Sequence, residues 1–197
     1  LVCRPLLRAV FCNKKEKYGI VSRIYEENVE VKVLLHKFIP RQRVNTVYEI
    51  PLAELWLKGI RGIITDLDNT LVGAKEPLAT PELVLWLDEV KSMGFKVVIV
   101  SNNHKTRVSR FAEPLQIPYI HRAKKPTNAA FHKALEWMEL SAEQTVVIGD
   151  QMLTDVLGGN RMGLHTVLVL PIEILDEGFF TKINRRVEKI LLAMMRK

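Results

Sequence analysis

Two carboxylates one residue apart, Asp66 and Asp68, follow the apolar run Gly62-Ile63-Ile64-Thr65 and precede Asn69 and Thr70. A run of this kind carries the backbone into an interior, where an unpaired carboxylate is costly. Something cationic must therefore meet the pair. In a continuing strand the two side chains share a face. If the strand ends at Asp66 and the chain turns, they converge on one pocket at its tip. Both geometries describe a site rather than a core.

Further polar groups recur in the same position relative to apolar runs. Ser101, Asn102 and Asn103 follow Phe95–Val100, Lys124 and Lys125 follow Pro118–His121, and Gly149-Asp150 follows Thr145–Ile148, with Asp155 a helical turn on. Asp66, Asp68 and Asp150 are hard oxygen ligands of the kind Mg²⁺ takes. Ser101 and Lys125 are donors suited to phosphate oxygens. Carboxylates alone repel a phosphate dianion, and a metal together with Lys125 inverts that sign. Asp66 can then attack phosphorus and form an aspartyl-phosphate. Asp68 is placed to protonate the leaving oxygen and afterwards to activate water. Backbone N–H groups after Asp66 and near Asn102 can hold the transferring oxygens.

The elements that must position these groups alternate. Gly62–Thr65, Phe95–Val100, Pro118–His121, Thr145–Ile148 and His165–Leu170 read as strands. Between them lie helical patterns. One opens at Thr80-Pro81-Glu82, with a cap, a first-turn proline and an acid, and stops at Gly94. Others cover His104–Ala112, Thr127–Leu140 and Leu153–Met162, and a short helix follows Pro51. Continuously apolar strands spaced by helices predict an α/β fold, a Rossmann-like three-layer sandwich with a five-stranded parallel sheet. Ligands of such sheets sit beyond the carboxyl ends of the strands. Four of the five predicted strand ends deliver polar groups to that rim. Trp56, Trp86 and Trp137 are expected in the core, and His104, His121, His132 and His165 in surface or packing roles.

The wording of these strand ends resembles the four motifs of the haloacid dehalogenase superfamily. Asp66-Leu-Asp-Asn-Thr-Leu-Val is similar to the first, Val97-Val-Ile-Val-Ser-Asn to the second, Lys125-Pro126 to the third and Gly149-Asp150…Asp155 to the fourth, in that order. The longer stretches Gly62–Val72, Ile99–Asn103 and Val147–Arg161 resemble the YqeG-type subclass IIIA phosphatases, within the wider phosphatidylglycerophosphate phosphatase group. The likeness covers about residues 33 to 197. It implies Asp66 as nucleophile and Asp68 as acid/base, phosphate binding by Ser101, Asn102 and Lys125, and Mg²⁺ held by Asp66, Asp68, Asp150 and Asp155. Asp155 would support the metal directly or through water, or orient Lys125. Lys124 competes for the lysine role, and the Lys-Pro pairing favours Lys125. The intervals Asn69–Pro81 and Asn103–His121 are too short for a cap domain, so an open site is expected, one that admits large or membrane-embedded substrates.

Bulk properties narrow the setting. The 197 residues, 48% apolar and 26% charged, suit one globular domain. Cys3 and Cys12 fit no zinc spacing or disulfide frame. No apolar stretch is long enough to span a bilayer, and the leader lacks a secretory pattern. The net charge of +7 is concentrated in the tails: 1–32 carries +3, 179–197 carries +5 and 33–178 carries −1. This argues against a broad nucleic-acid face on the core.

Residues 1–32 are read as an N-terminal extension, either disordered or upstream of a native start at Val33, with a short strand pair as the alternative. Residues 33–60 form a lead-in packing on the core, 61–178 the catalytic core and 179–197 a basic amphipathic helix. That helix either packs on the sheet or lies against anionic membrane. The expectation is a cytoplasmic Mg²⁺-dependent phosphomonoesterase, with peripheral contact at the inner membrane face, acting on phosphatidylglycerophosphate or another small phosphate ester. The alternatives are an RNA- or ribosome-associated binding factor on the same scaffold, and a nucleotide or polynucleotide phosphatase.

Overall fold

The computed structural model describes residues 35–173. The extension read at 1–32 and the basic helix read at 179–197 lie outside the described residues. The chain divides into two compact units, Leu1–His36 and Lys37–Lys197, and the sheet with its helices lies in the second.

In chain order the elements are β1 (Gln42–Val44), α1 (Leu52–Leu57), β2 (Gly62–Thr65), α2 (Pro81–Ser92), β3 (Lys96–Val100), α3 (Lys105–Ala112), β4 (Tyr119–Ile120), α4 (Ala129–Met138), β5 (Thr145–Gly149), α5 (Leu157–Arg161) and β6 (His165–Val169). The strands form one sheet in the order β1-β6-β5-β2-β3-β4, every pairing parallel. All their carboxyl ends therefore lie on one rim.

Every residue of β2 and β5 is buried, as central parallel strands covered on both faces require. Their side chains alternate between two apolar layers. Ile63, Val97, Ile99, Val146 and Ile148 pack with Leu55 of α1, Leu83, Trp86 and Leu87 of α2, and Val108 and Phe111 of α3. Ile64, Val98, Val100 and Val147 pack on the opposite face with Phe131, Ala134 and Met138 of α4. The Thr80 side chain accepts from the Leu83 N–H and Pro81 opens α2, so that helix begins where its sequence signals place it. Gly94, at φ +90°, takes the left-handed turn that ends the connection into β3.

Among the described residues the sheet has six strands, not the five predicted. β1 was hidden in the lead-in because Gln42-Arg43-Val44 is short, polar and half-exposed. It exists through its pairing with Val167, Leu168 and Val169 of β6. The helix predicted over Leu153–Met162 is instead a π-helical turn, Met152–Val156, running into the short α5. Helix α4 starts two residues later than predicted. Trp137 is not core. It is 48% exposed, beside the buried stripe of α4, with the Lys133 ammonium 4.9 Å from its ring. Among the described residues, the connections after β2 and β3 hold no cap domain.

Candidate active site

β2 and β5 are adjacent in the centre of the sheet, so Asp66 and Asp150, which follow them, are brought together by strand pairing. Asp155 joins them from the π-helical turn. In that turn the Val156 N–H reaches back to the Gln151 carbonyl, and the widened backbone swings Asp155 inward. Its Oδ2 accepts from the Gln151 N–H and the Thr154 hydroxyl, both at 3.2 Å. Gly149 makes room: a Cβ there would lie 2.2 Å from the Asp155 carboxyl carbon.

Asp66, Asp150 and Asp155 are all buried, and each offers an oxygen within 4.8 Å of the others. Lys125 meets them, its Nζ donating at 2.7 Å to Asp66 Oδ1 and at 2.7 Å to Asp155 Oδ1. Burial opposes the charge on Lys125, but the two carboxylates outweigh it and its pKa is raised. Burial pushes the Asp155 carboxyl up, against the pull of Lys125. Three carboxylates against one ammonium leave negative charge in a buried place. That excess, and the all-oxygen donor set, fit a hard divalent cation such as Mg²⁺. The Thr70 hydroxyl donates to Asp150 Oδ1 at 3.4 Å and adds an oxygen beside the cluster.

Asp68 stands outside this cluster, although its spacing suggested a ligand role. The chain turns at Asn69, whose φ of 64° is left-handed, and the Asp68 carboxylate is met by two donors. The Asn103 amide donates to Oδ2 at 2.9 Å. Arg107, on α3, places Nε at 3.0 Å and Nη2 at 2.9 Å from Oδ1. Burial raises the Asp68 pKa, against the opposing pull of Asn103 and Arg107 and with a smaller contribution from Asp66.

Ser101 is buried at the end of β3, where its Oγ accepts from the Asn103 N–H at 3.2 Å. Asn102 uses its side chain on the backbone of Lys125. Its Oδ1 accepts from the Lys125 N–H at 2.7 Å and its Nδ2 donates to the Lys125 carbonyl at 3.3 Å. The Asn102 amide therefore anchors the lysine loop. Asp66, Asp68, Ser101, Asn102, Lys125 and Thr154 all line one cavity of about 340 Å³.

Motif reasoning passed over Arg107 and Thr154, and it noted Asn103 and Thr70 at the strand ends without giving them a role. Arg107 reads in sequence as one more cation on a helix surface. Its signal was positional, since it lies one turn into the helix that leaves the same strand end as Ser101.

Comparisons with known proteins give the family through one extensive relative. A family model described as "HAD-hyrolase-like" matches residues 122–171. A Bacillus subtilis protein named "Probable phosphatase YqeG" is 51% identical over 160 residues, covering 81% of this chain and 92% of that protein. An Arabidopsis thaliana phosphatidylglycerophosphate phosphatase 1 is 27% identical over 197 residues, covering 94% of this chain and 55% of that protein. Among solved structures, the cobalt-bound deoxy-D-mannose-octulosonate 8-phosphate phosphatase of Haemophilus influenzae aligns at 18% identity with a TM-score of 0.49, covering 65% of this chain and 76% of that one.

Proposed function

We propose, for a chain that belongs to the haloacid dehalogenase superfamily of phosphatases and to its YqeG type, a Mg²⁺-dependent phosphomonoesterase working through an aspartyl-phosphate. The observation that carries this reading is the lysine bridge. Lys125 sits 2.7 Å from both Asp66 and Asp155, and Lys125 and Asp66 line the cavity that also takes in Asp68 and Ser101.

In this reading Asp66, Asp150 and Asp155 hold the Mg²⁺, which would supply positive charge toward the phosphoryl oxygens. Lys125 and Ser101 hold the phosphate. An oxygen of Asp66 attacks phosphorus and the bond from phosphorus to the ester oxygen breaks. Asp68 gives its proton to that departing oxygen, a role that suits a carboxyl raised by burial. Asp68 then takes a proton from water. The hydroxide oxygen attacks phosphorus, the bond to Asp66 breaks, and phosphate leaves with Asp66 restored. Asn102 serves the phosphate indirectly, by fixing the backbone that carries Lys125.

The substrate in this reading is phosphatidylglycerophosphate or another small phosphate ester. The name of the Arabidopsis relative and the cap-free rim support it. Such a lipid places the enzyme in the cytoplasm, peripheral at the inner membrane face. No helix among the described residues is long and apolar enough to cross a membrane.

A panel of phosphate esters, including phosphatidylglycerophosphate and nucleotides, tests the proposal with Mg²⁺ and with chelator. Mg²⁺-dependent release of phosphate, lost in Asp66→Asn, is expected. Turnover that survives in Asp66→Asn overturns the nucleophile assignment, and a preference for nucleotides overturns the substrate class.

A further inference from the structure

The rim that carries the acid cluster is chemically polarised along the sheet. In the strand order β1-β6-β5-β2-β3-β4, the cluster occupies the middle, at the ends of β5 and β2. Beyond β1 and β6 the rim carries exposed apolar side chains, with Asn45, Thr46 and Glu49 exposed beside them. Tyr48 is 38% exposed, Leu170 58% and Ile172 53%. These three border a cavity of about 390 Å³ that also takes in Thr70 and Leu71. Thr70 donates to Asp150, so this apolar cavity lies directly across the 69–71 turn from the acid cluster.

Beyond β3 and β4 the same rim is cationic. Lys105, Arg122 and Lys124 are all exposed, and the connections 101–105 and 121–128 contain no Asp or Glu. Parallel pairing places both edges at the one end of the sheet, with the candidate active site between them.

Exposed apolar side chains that adjoin one another, as Tyr48, Leu170 and Ile172 do around one cavity, mark an interaction surface, whereas single ones such as Leu57 and Leu85 do not. Here the occupant must take apolar side chains at one edge and supply negative charge at the other. A nucleic acid satisfies only the second demand. An anionic phospholipid surface satisfies both, with its acyl boundary accepting Leu170 and Ile172 and its phosphates facing the cations. We infer that this rim is a docking face for an anionic bilayer, which sets the mouth of the cavity against the lipid headgroups. The inference goes beyond the phosphatase reading and rests on it only for the purpose of the docking.

Vesicle co-sedimentation of the full chain, without Mg²⁺ or substrate, tests it. Vesicles of phosphatidylcholine alone are compared with vesicles containing phosphatidylglycerol. The parent chain should partition onto the anionic vesicles at least tenfold more strongly, and less so at high salt. Leu170→Glu with Ile172→Glu, and separately Lys105→Gln with Arg122→Gln, should each lower that partition about tenfold. Hydrolysis of p-nitrophenyl phosphate should stay within twofold of the parent. The uncharged pair Leu170→Asn with Ile172→Asn, checked by circular dichroism, separates a lost surface from a lost fold.

A control with Lys182, Arg185, Arg186 and Lys189 changed to Gln tests the tail. The inference is overturned if both rim pairs bind as the parent does while only the tail control is released. It is equally overturned if the parent binds both vesicle types alike, or binds an RNA oligonucleotide and no vesicle. A chain inactive on every ester would overturn the proposed function and leave the vesicle result to stand by itself.

Discussion

Arg107 and Asn103 occupy both oxygens of Asp68. Such bonds fix a carboxyl group in direction as well as in charge. If Asp68 delivers the proton to the leaving oxygen, its direction matters most for leaving groups that cannot depart as anions. Arg107→Gln should therefore slow hydrolysis of an alkyl phosphate by about a hundredfold, within the range that general acid catalysis contributes. Hydrolysis of p-nitrophenyl phosphate, whose leaving group needs little help, should fall far less. Steady-state kinetics on the two esters measures this, and an equal loss on both would mean that Arg107 serves only the fold. Lys125 is a second case of charge defining its surroundings. It is almost wholly buried, and it stays ionised because two carboxylates lie 2.7 Å away.

At the scale of elements, the turn between β5 and α5 decides whether the fourth strand end contributes one carboxylate or two. Asp150 follows β5 directly. Asp155 reaches the cluster because the π-helical turn re-aims it and because Gly149 leaves its carboxyl room. Gly149→Ala would force the Asp155 side chain away, since a methyl group cannot share its position. The expected cost is about 1 to 3 kcal/mol of stability, the usual range for overpacking. A loss of phosphatase activity out of proportion to that cost is also expected, because Lys125 would keep only one of its carboxylate partners. Chemical denaturation beside steady-state kinetics checks both, and retained activity with lowered stability would mean that Asp155 is dispensable. Helix α5 shows the same use of glycine for packing alone. Gly159 lies so close to the sheet that a Cβ would meet Val147 at 2.3 Å.

For the molecule as a whole, the parallel sheet concentrates polar chemistry on one rim and leaves ordinary packing elsewhere. His165, which opens β6 at the opposite end, illustrates that packing. It is half-buried, and burial lowers its pKa, helped by the charges of Arg41 and Lys58. The folded protein thus favours the neutral ring, while the unfolded chain protonates near pH about 6.5. Its contribution to stability is fully present above that pH and is lost as the pH falls from there through the folded pKa. His165→Gln should flatten the fall of melting temperature below pH about 6.5. Thermal melts from pH 5 to 8 would show it, and an unchanged acid limb would assign the fall to carboxylates instead.

Much of this was legible in the chain itself. Strand and helix alternation, the Thr80-Pro81 helix start and the polar groups after four apolar runs are local signals, because periodicity and capping act over a few residues. Asp66, Ser101, Lys125, Asp150 and Asp155 were placed at one rim from such signals together with the rule for parallel sheets. Strand β1 was not legible, because three residues at a sheet edge, two of them polar, take their conformation from a partner far along the chain. Nor was the division among the acids. Asp66 and Asp68 are one residue apart, yet one joins Lys125 and the other joins Arg107, since the turn at Asn69 sends them to different neighbours. The sequence by itself determined which residues stand at the strand ends. Tertiary structure decided which charge meets which, because electrostatic partners are chosen by distance in space, and the Asp66–Lys125 and Asp68–Arg107 contacts join residues far apart in the chain.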